Sequence, residues 1–100
     1  MAYYTYIIYS LKTNKFYKGQ TNNLKNRINR HNCGLENATK HGVPWQLLWF
    51  TMKLRRSEAV NLESKLKNLS RKRLVEFMLK YENDIHNNQT MFIKNLSSES

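Results

Sequence analysis

Two short runs of aromatic and β-branched residues, joined by a polar turn, constrain the fold of this chain more than any other feature. Residues 3–10 (YYTYIIYS) and 16–21 (FYKGQT) each predict a β-strand, and residues 12–15 (KTNK) separate them. Two strands joined by so short a turn predict a β-hairpin. Gly19 lies inside the second strand, where a glycine indicates a bulge or the close approach of another group.

The residues after the hairpin predict helices packed on a third strand. Asn22 or Asn23 is expected to cap the first helix, and Ser57 and Ser70 the next two. Residues 35–44 are polar and contain Gly and Pro, which is typical of a loop. In chain order the predicted elements after the hairpin are a helix from 24 to about 32, a buried strand at 45–52, and helices ending near 69 and 81.

The predicted order β-β-α-β-α-α favours an α+β fold, in which helices flank a small three-stranded antiparallel sheet. Residues 1–81 are expected to form this one domain. Residues 82–100 are rich in Asn and Ser and have one short apolar patch at 91–93. They predict a mobile or loosely packed tail.

The charge of the chain indicates a partner rich in phosphate. Seventeen Lys and Arg face seven Asp and Glu, which gives a formal net charge of +10. No acidic residue precedes Glu36, and only Glu58 and Glu63 lie between it and Glu76. Nucleic acid is therefore the first candidate partner and an acidic membrane surface the second.

Composition excludes several other kinds of site. Cys33 is the only cysteine, so neither an intramolecular disulfide nor a cysteine-based zinc site is expected. The three histidines lack metal-ligand spacing. No secretory signal and no run of about 20 apolar residues is present, so the expected location is cytoplasmic, without a membrane partner.

The first helix carries two basic residues where core residues would be expected. Leu24, Arg27, Ile28 and His31 follow the spacing of one helical face. Arg27 and His31 lie one turn apart, so their tips can reach a common point. Either both side chains extend over the core edge to solvent, or they converge on a ligand.

Glu63 borders the apolar stripe of the second helix and stands in a strongly basic segment. The simpler interpretation is an i, i+4 ion pair with Lys67. The alternative is a magnesium ion that bridges this carboxylate to a phosphate. Phosphodiester hydrolysis also needs a guanidinium for the charge of the transition state and a base that activates water. Tyr17, flanked by Lys18, is a candidate for the base that activates water.

These residues, in this order, resemble the signature of the GIY-YIG nucleases. The resemblance rests on Tyr4-Thr5-Tyr6, Tyr17-Lys18-Gly19, Asn23-Leu24-x-x-Arg27, His31 and the later RSEA…E…K-LSR segment. It covers roughly residues 3–80 in collinear order and is greatest for the short, single-domain bacterial members.

The resemblance implies a role for each matching residue. Tyr6 would be a site tyrosine, Tyr17 the water activator, Arg27 the phosphate-stabilising arginine, His31 a site position, and Glu63 the ligand of one Mg²⁺ or Mn²⁺. The departures are Tyr4, Thr5, Lys18 and Gln20, the last standing where several branches use Lys. Asn68 is the nearest match to an asparagine that many members carry after the Glu helix. The residues expected to grip nucleic acid are Lys18, Gln20, Arg30, Lys67 and Arg71.

The first hypothesis is therefore an endonuclease that hydrolyses DNA, with DNA repair or recombination as its expected context and no small-molecule cofactor. Two alternatives stay open at this point. The same fold could bind nucleic acid without cutting it, or serve as a protein-interaction domain. Whether the chain forms a homodimer, and whether it prefers duplex, single-stranded or branched DNA or RNA, is left open.

Overall fold

A computed structural model describes residues 1–96 of the chain. The predicted order of elements is confirmed, with one further helix at the end. Three short 3-10 helices connect the longer elements, at Lys40–Gly42, Glu82–Asp84 and His86–Asn88. The longer elements are β1 (Tyr3–Ser10), β2 (Lys15–Thr21), α1 (Leu24–Asn32), β3 (Trp45–Lys53), α2 (Arg56–Lys67), α3 (Arg71–Lys80) and α4 (Thr90–Leu96).

The three strands form one antiparallel sheet with β1 in the centre, in the order β2-β1-β3. The β1–β2 register pairs Tyr6 with Gly19 and Ile8 with Tyr17. The β1–β3 register shifts between Ile7 and Ile8. This sheet and its flanking helices confirm the predicted α+β fold.

Each face of the sheet supports its own apolar cluster, because successive residues of β1 point to opposite sides. Tyr6 and Ile8 pack with Trp45 under α1. Ile7 and Tyr9 pack on the other face, in the larger cluster formed with α2, α3 and α4. The central strand is buried on both sides, so a single strand supplies the site face and the main core.

The helix starts follow the predicted capping residues in two cases of three. The side chain of Asn23 accepts a hydrogen bond from the backbone of Asn26, and Ser70 accepts one from Arg73. The prediction that Ser57 caps α2 is wrong. The helix begins at Arg56, and the Glu58 carboxylate accepts a hydrogen bond from the backbone N–H of Arg55. A carboxylate in the first turn thus replaces the serine as the partner of a free N–H group.

The prediction of a loosely packed tail is wrong for residues 82–96. Ile93 and Leu96 are buried in the main core, one turn apart on α4. Ile85 pairs with Trp49, and Gln89 donates a hydrogen bond to the Leu47 carbonyl. Two apolar residues at helical spacing are enough to dock a short helix on an existing core, even in a polar segment. Residues 97–100 of the predicted tail lie outside the described part of the chain.

Within residues 1–96, no helix is long and apolar enough to cross a membrane.

Candidate active site

A buried tyrosine–histidine pair forms the centre of the site. The Tyr6 hydroxyl and His31 Nε2 are 2.7 Å apart. Tyr6 comes from the middle of β1 and His31 from the last turn of α1, and their exposed fractions are 0% and 1%. The Tyr17 ring stands edge-on to the His31 ring, with centroids 5.1 Å apart. Two of the predicted residues thus form a hydrogen bond, and a third lies in ring contact with the pair.

The Tyr17 hydroxyl differs from that of Tyr6 in its surroundings. Tyr17 is only half-buried, and among residues 1–96 no group forms a hydrogen bond with its hydroxyl. The hydrogen bond of His31 runs to Tyr6 and not to Tyr17. Tyr17 is therefore the phenol that a ligand can reach.

Gly19 provides the space for the Tyr6 phenol. The two residues are paired across β1 and β2. A Cβ atom at Gly19 would lie 2.5 Å from the Tyr6 hydroxyl oxygen and 2.6 Å from Cζ. The predicted close approach at this glycine is confirmed, and the approaching group is the site tyrosine.

Thr39, which sequence analysis did not identify, holds the other side of the His31 ring. Its hydroxyl lies 2.7 Å from His31 Nδ1. Its carbonyl accepts a 2.7 Å hydrogen bond from the indole N–H of Trp45. The Asn32 side chain also bonds the backbone of Trp45, which ties the end of α1 to the start of β3. Because Thr39 lies in an irregular loop, no periodicity marks it as buried.

Glu36 holds the two arginines of α1 and was also missed. Arg30 Nε donates a 2.7 Å hydrogen bond to Glu36 Oε2, and Arg27 Nε lies 3.9 Å from the same oxygen. The hydrogen bond from Arg30, with the positive charges of Arg30 and Arg27, holds the pKa of Glu36 below its usual range. Arg30, expected to grip nucleic acid, thus has an internal partner.

Burial controls the protonation of the central pair. It raises the pKa of Tyr6 above its ordinary value; Tyr17 adds to this shift, whereas the charge and hydrogen bonding of Arg27 oppose it. Burial also lowers the pKa of His31 below 6.5, against the opposing effect of Glu36. At neutral pH the pair therefore consists of a protonated phenol and an uncharged imidazole.

Glu63 lies on α2, which covers the sheet face opposite α1. Its side chain is 17% exposed, and its Oε2 lies 3.4 Å from Lys67 Nζ, so the predicted i, i+4 ion pair is present. The negative charge of Glu63 is the smallest of the effects on Tyr6, and it raises the pKa of that phenol. Lys18 is partly buried nearby; burial, followed by the charge of Lys67, lowers its pKa.

The residues around Glu63 fit an ion that arrives with its substrate. Among the described residues, no three His, Cys, Asp or Glu side chains are grouped to hold a metal. Mg²⁺ commonly uses one or two carboxylates and completes its shell with phosphate oxygens and water. The Glu63 carboxylate is compatible with that chemistry, provided that Lys67 moves away from it.

A small polar pocket opens at the β2 edge, where α1 and α2 meet. Arg27 of α1 and Arg56 of α2 both line it, together with Gln20 of β2. Two guanidinium groups on one pocket favour a phosphate ligand. Gln20 and Arg27 were expected in the site, whereas Arg56 was not.

Arg71 does not join this group. Its guanidinium donates hydrogen bonds to the Leu96 carbonyl and to the backbone and side-chain oxygens of Asn14. It also lies over the Phe16 ring, 5.1 Å from its centroid. In the structure Arg71 thus connects the hairpin turn to α4.

Comparisons with known proteins agree with this geometry. A search of curated protein sequences found no significant match. The chain resembles the solution NMR structure of a UPF0213 protein from Bacillus halodurans, with 28% sequence identity and a TM-score of 0.52. The match covers 78% of this chain and 83% of that one. The model of the GIY-YIG catalytic domain matches residues 2–77. The chain therefore belongs to the GIY-YIG catalytic domain family.

Proposed function

We propose that this protein is a divalent-metal-dependent endonuclease that hydrolyses phosphodiester bonds in DNA. Membership of a family of nucleases supports the general activity. The observation that carries the proposal is the Tyr6–His31 hydrogen bond. It links a proton acceptor, the His31 imidazole, to a phenol. The Tyr17 ring and the Arg27 guanidinium act on the same pair.

In this proposal each residue has one task. Tyr17, whose hydroxyl a ligand can reach, orients the attacking water. As the water oxygen bonds to phosphorus, its proton passes to the Tyr6 oxygen while the Tyr6 hydrogen passes to Nε2 of uncharged His31. The bond from phosphorus to the leaving oxygen breaks, and that oxygen takes a proton from solvent water. Arg27 stabilises the charge that grows on the phosphate in the transition state.

The metal would be held by Glu63 together with phosphate oxygens of the substrate. A bound Mg²⁺ or Mn²⁺ supplies Lewis-acid stabilisation of the phosphate. Gln20 and Arg56 line the polar pocket, and the charge of Lys67 acts on Lys18. We assign all four residues to contacts with the nucleic-acid backbone. A role in repair or recombination, a cytoplasmic location and assembly as a homodimer remain hypotheses to be tested separately.

The experiment is a cleavage assay on supercoiled plasmid and on single-stranded, duplex and branched oligonucleotides, with and without Mg²⁺. Glu63→Gln should lower cleavage by roughly 100-fold or more, because it removes the ligand charge but keeps the shape. Glu76→Gln is the matched control, because Glu76 is exposed on α3. Equal cleavage by wild type and Glu63→Gln would contradict the metal role.

The Glu63–Lys67 ion pair supports a second candidate, a module that binds nucleic acid without cutting it. In that case Lys67 is the permanent partner of the carboxylate. Fluorescence anisotropy on the same oligonucleotides distinguishes the two candidates. Tight binding with a steep salt dependence, but no cleavage of any substrate, would favour the binding module.

A further inference from the structure

The hydrogen bonds around the His31 ring determine which of its nitrogens carries the proton. A neutral imidazole has one N–H donor and one bare nitrogen acceptor, and the partners of the two atoms decide which is which. Here Nε2 faces the Tyr6 hydroxyl and Nδ1 faces the Thr39 hydroxyl, both at 2.7 Å. Each partner can donate or accept, so the direction must come from their own neighbours.

On the Tyr6 side, the contact fits either direction. The hydroxyl can donate its hydrogen to a bare Nε2 or accept from an Nε2–H, and the 2.7 Å distance suits both cases. The choice between the two tautomers therefore depends on the other side of the ring.

On the Thr39 side, the neighbouring group is an acceptor only. The Thr39 hydroxyl lies 3.5 Å from the Glu36 carbonyl oxygen, in the donor direction. This contact is long, but it directs the hydroxyl hydrogen of Thr39 towards the Glu36 carbonyl. The lone pairs of Thr39 Oγ1 can then accept a hydrogen bond from His31 Nδ1–H. Nδ1 then carries the proton, and Nε2 is the bare nitrogen that accepts the hydrogen of the Tyr6 hydroxyl.

We propose that Thr39 is a positioning residue, whose hydroxyl accepts the Nδ1–H of His31 and so keeps Nε2 bare and directed at the Tyr6 hydroxyl. Its loop is built for this task, because the Thr39 carbonyl is bonded to the Trp45 indole and its side chain is buried. The importance of this tautomer for the reaction rests on the proposed function, since only a bare Nε2 can receive the proton that Tyr6 passes on.

The test is ¹⁵N NMR of the histidine ring nitrogens in the full chain at neutral pH, for wild type, Thr39→Val and Thr39→Ser. We expect Nε2 of His31 to be unprotonated in wild type and in Thr39→Ser. Thr39→Val has the same shape but cannot accept, so the opposite tautomer should become populated. His41 and His86 serve as internal references, and Thr51→Val is the matched control for a threonine hydroxyl elsewhere.

A protonated Nε2 in wild type, or an unchanged tautomer in Thr39→Val, would overturn the proposal. The wild-type and Thr39→Ser spectra decide it even if Thr39→Val fails to fold. Where cleavage is measurable, kcat should fall about 10-fold in Thr39→Val with KM unchanged and recover in Thr39→Ser. Absence of cleavage by any variant would contradict the proposed function alone, because the tautomer is read without substrate.

Discussion

Adding one methyl group at Gly19 should displace the site tyrosine from its partner. In Gly19→Ala the new Cβ would lie 2.5 Å from the Tyr6 oxygen, whereas ordinary contacts begin near 3.4 Å. The phenol must therefore move by about 0.9 Å, which stretches its 2.7 Å hydrogen bond to His31. Overpacking of a buried site costs about 1–3 kcal/mol, and the weakened hydrogen bond about 1 kcal/mol more. We expect a total loss of about 2–4 kcal/mol in the free energy of unfolding.

Urea unfolding followed by fluorescence measures this loss. Gly34→Ala is the control, because its Cβ meets no atom within 4 Å and only its left-handed backbone (φ +73°) is strained, at about 1–2 kcal/mol. In the double variant Tyr6→Phe/Gly19→Ala the hydrogen bond to His31 that Gly19→Ala would weaken is already absent, so the effects should be less than additive. A Gly19→Ala protein within about 0.5 kcal/mol of wild type would refute the reasoning.

Three further predictions concern stability. Arg71→Met should lower the free energy of unfolding by about 2–3 kcal/mol, because it leaves the hydrogen-bond acceptors at the hairpin turn and α4 unpaired. The salt dependence of DNA binding should stay unchanged. A smaller salt dependence in a variant of full stability would show instead that Arg71 contacts phosphate. Ile93→Ala should cost about 2–5 kcal/mol in urea unfolding, whereas Met91→Ala on the exposed side of α4 should cost little, and equal small effects would contradict the docking of α4. Because the pKa of His31 is lowered in the folded protein, its contribution to stability is fully present above pH 6.5 and is lost as the pH falls below that value, by up to about 1.4 kcal/mol per pH unit. His31→Gln should remove this part of the pH dependence of unfolding, and an unchanged pH profile would contradict it.

The sequence predicted the parts of the site that lie on regular elements. Arg27 and His31 stand out on α1 because a helical face is periodic, so a polar residue on the inner face can be recognised. Thr39 and Glu36 lie between α1 and β3, where spacing carries no information about which side chain points inward. Their roles depend on tertiary contacts with His31 and Arg30, which only the folded chain contains.

Charge and composition proved ambiguous for single residues. Arg71 and Arg56 are both basic residues in the same half of the chain, but one holds α4 and the hairpin turn and the other lines the polar pocket. Net charge reports on the partner of the whole protein and not on the partner of each side chain. The polar composition of residues 82–96 likewise concealed Ile93 and Leu96, because two buried residues suffice when a core is already present.

The alternation along β1 ties the chemistry of this protein to its stability. Tyr6 and Ile7 are consecutive, yet one faces His31 and the other the aliphatic core. A slip of β1 by one residue would exchange them, putting a phenol into the core and an alkyl group beside the imidazole. A one-residue insertion or deletion in this strand would therefore abolish both folding and the proposed catalysis, whereas substitutions made one face at a time could alter either property alone. Side chains on the two faces of β1 can thus be substituted independently, but any change of its register affects both faces at once.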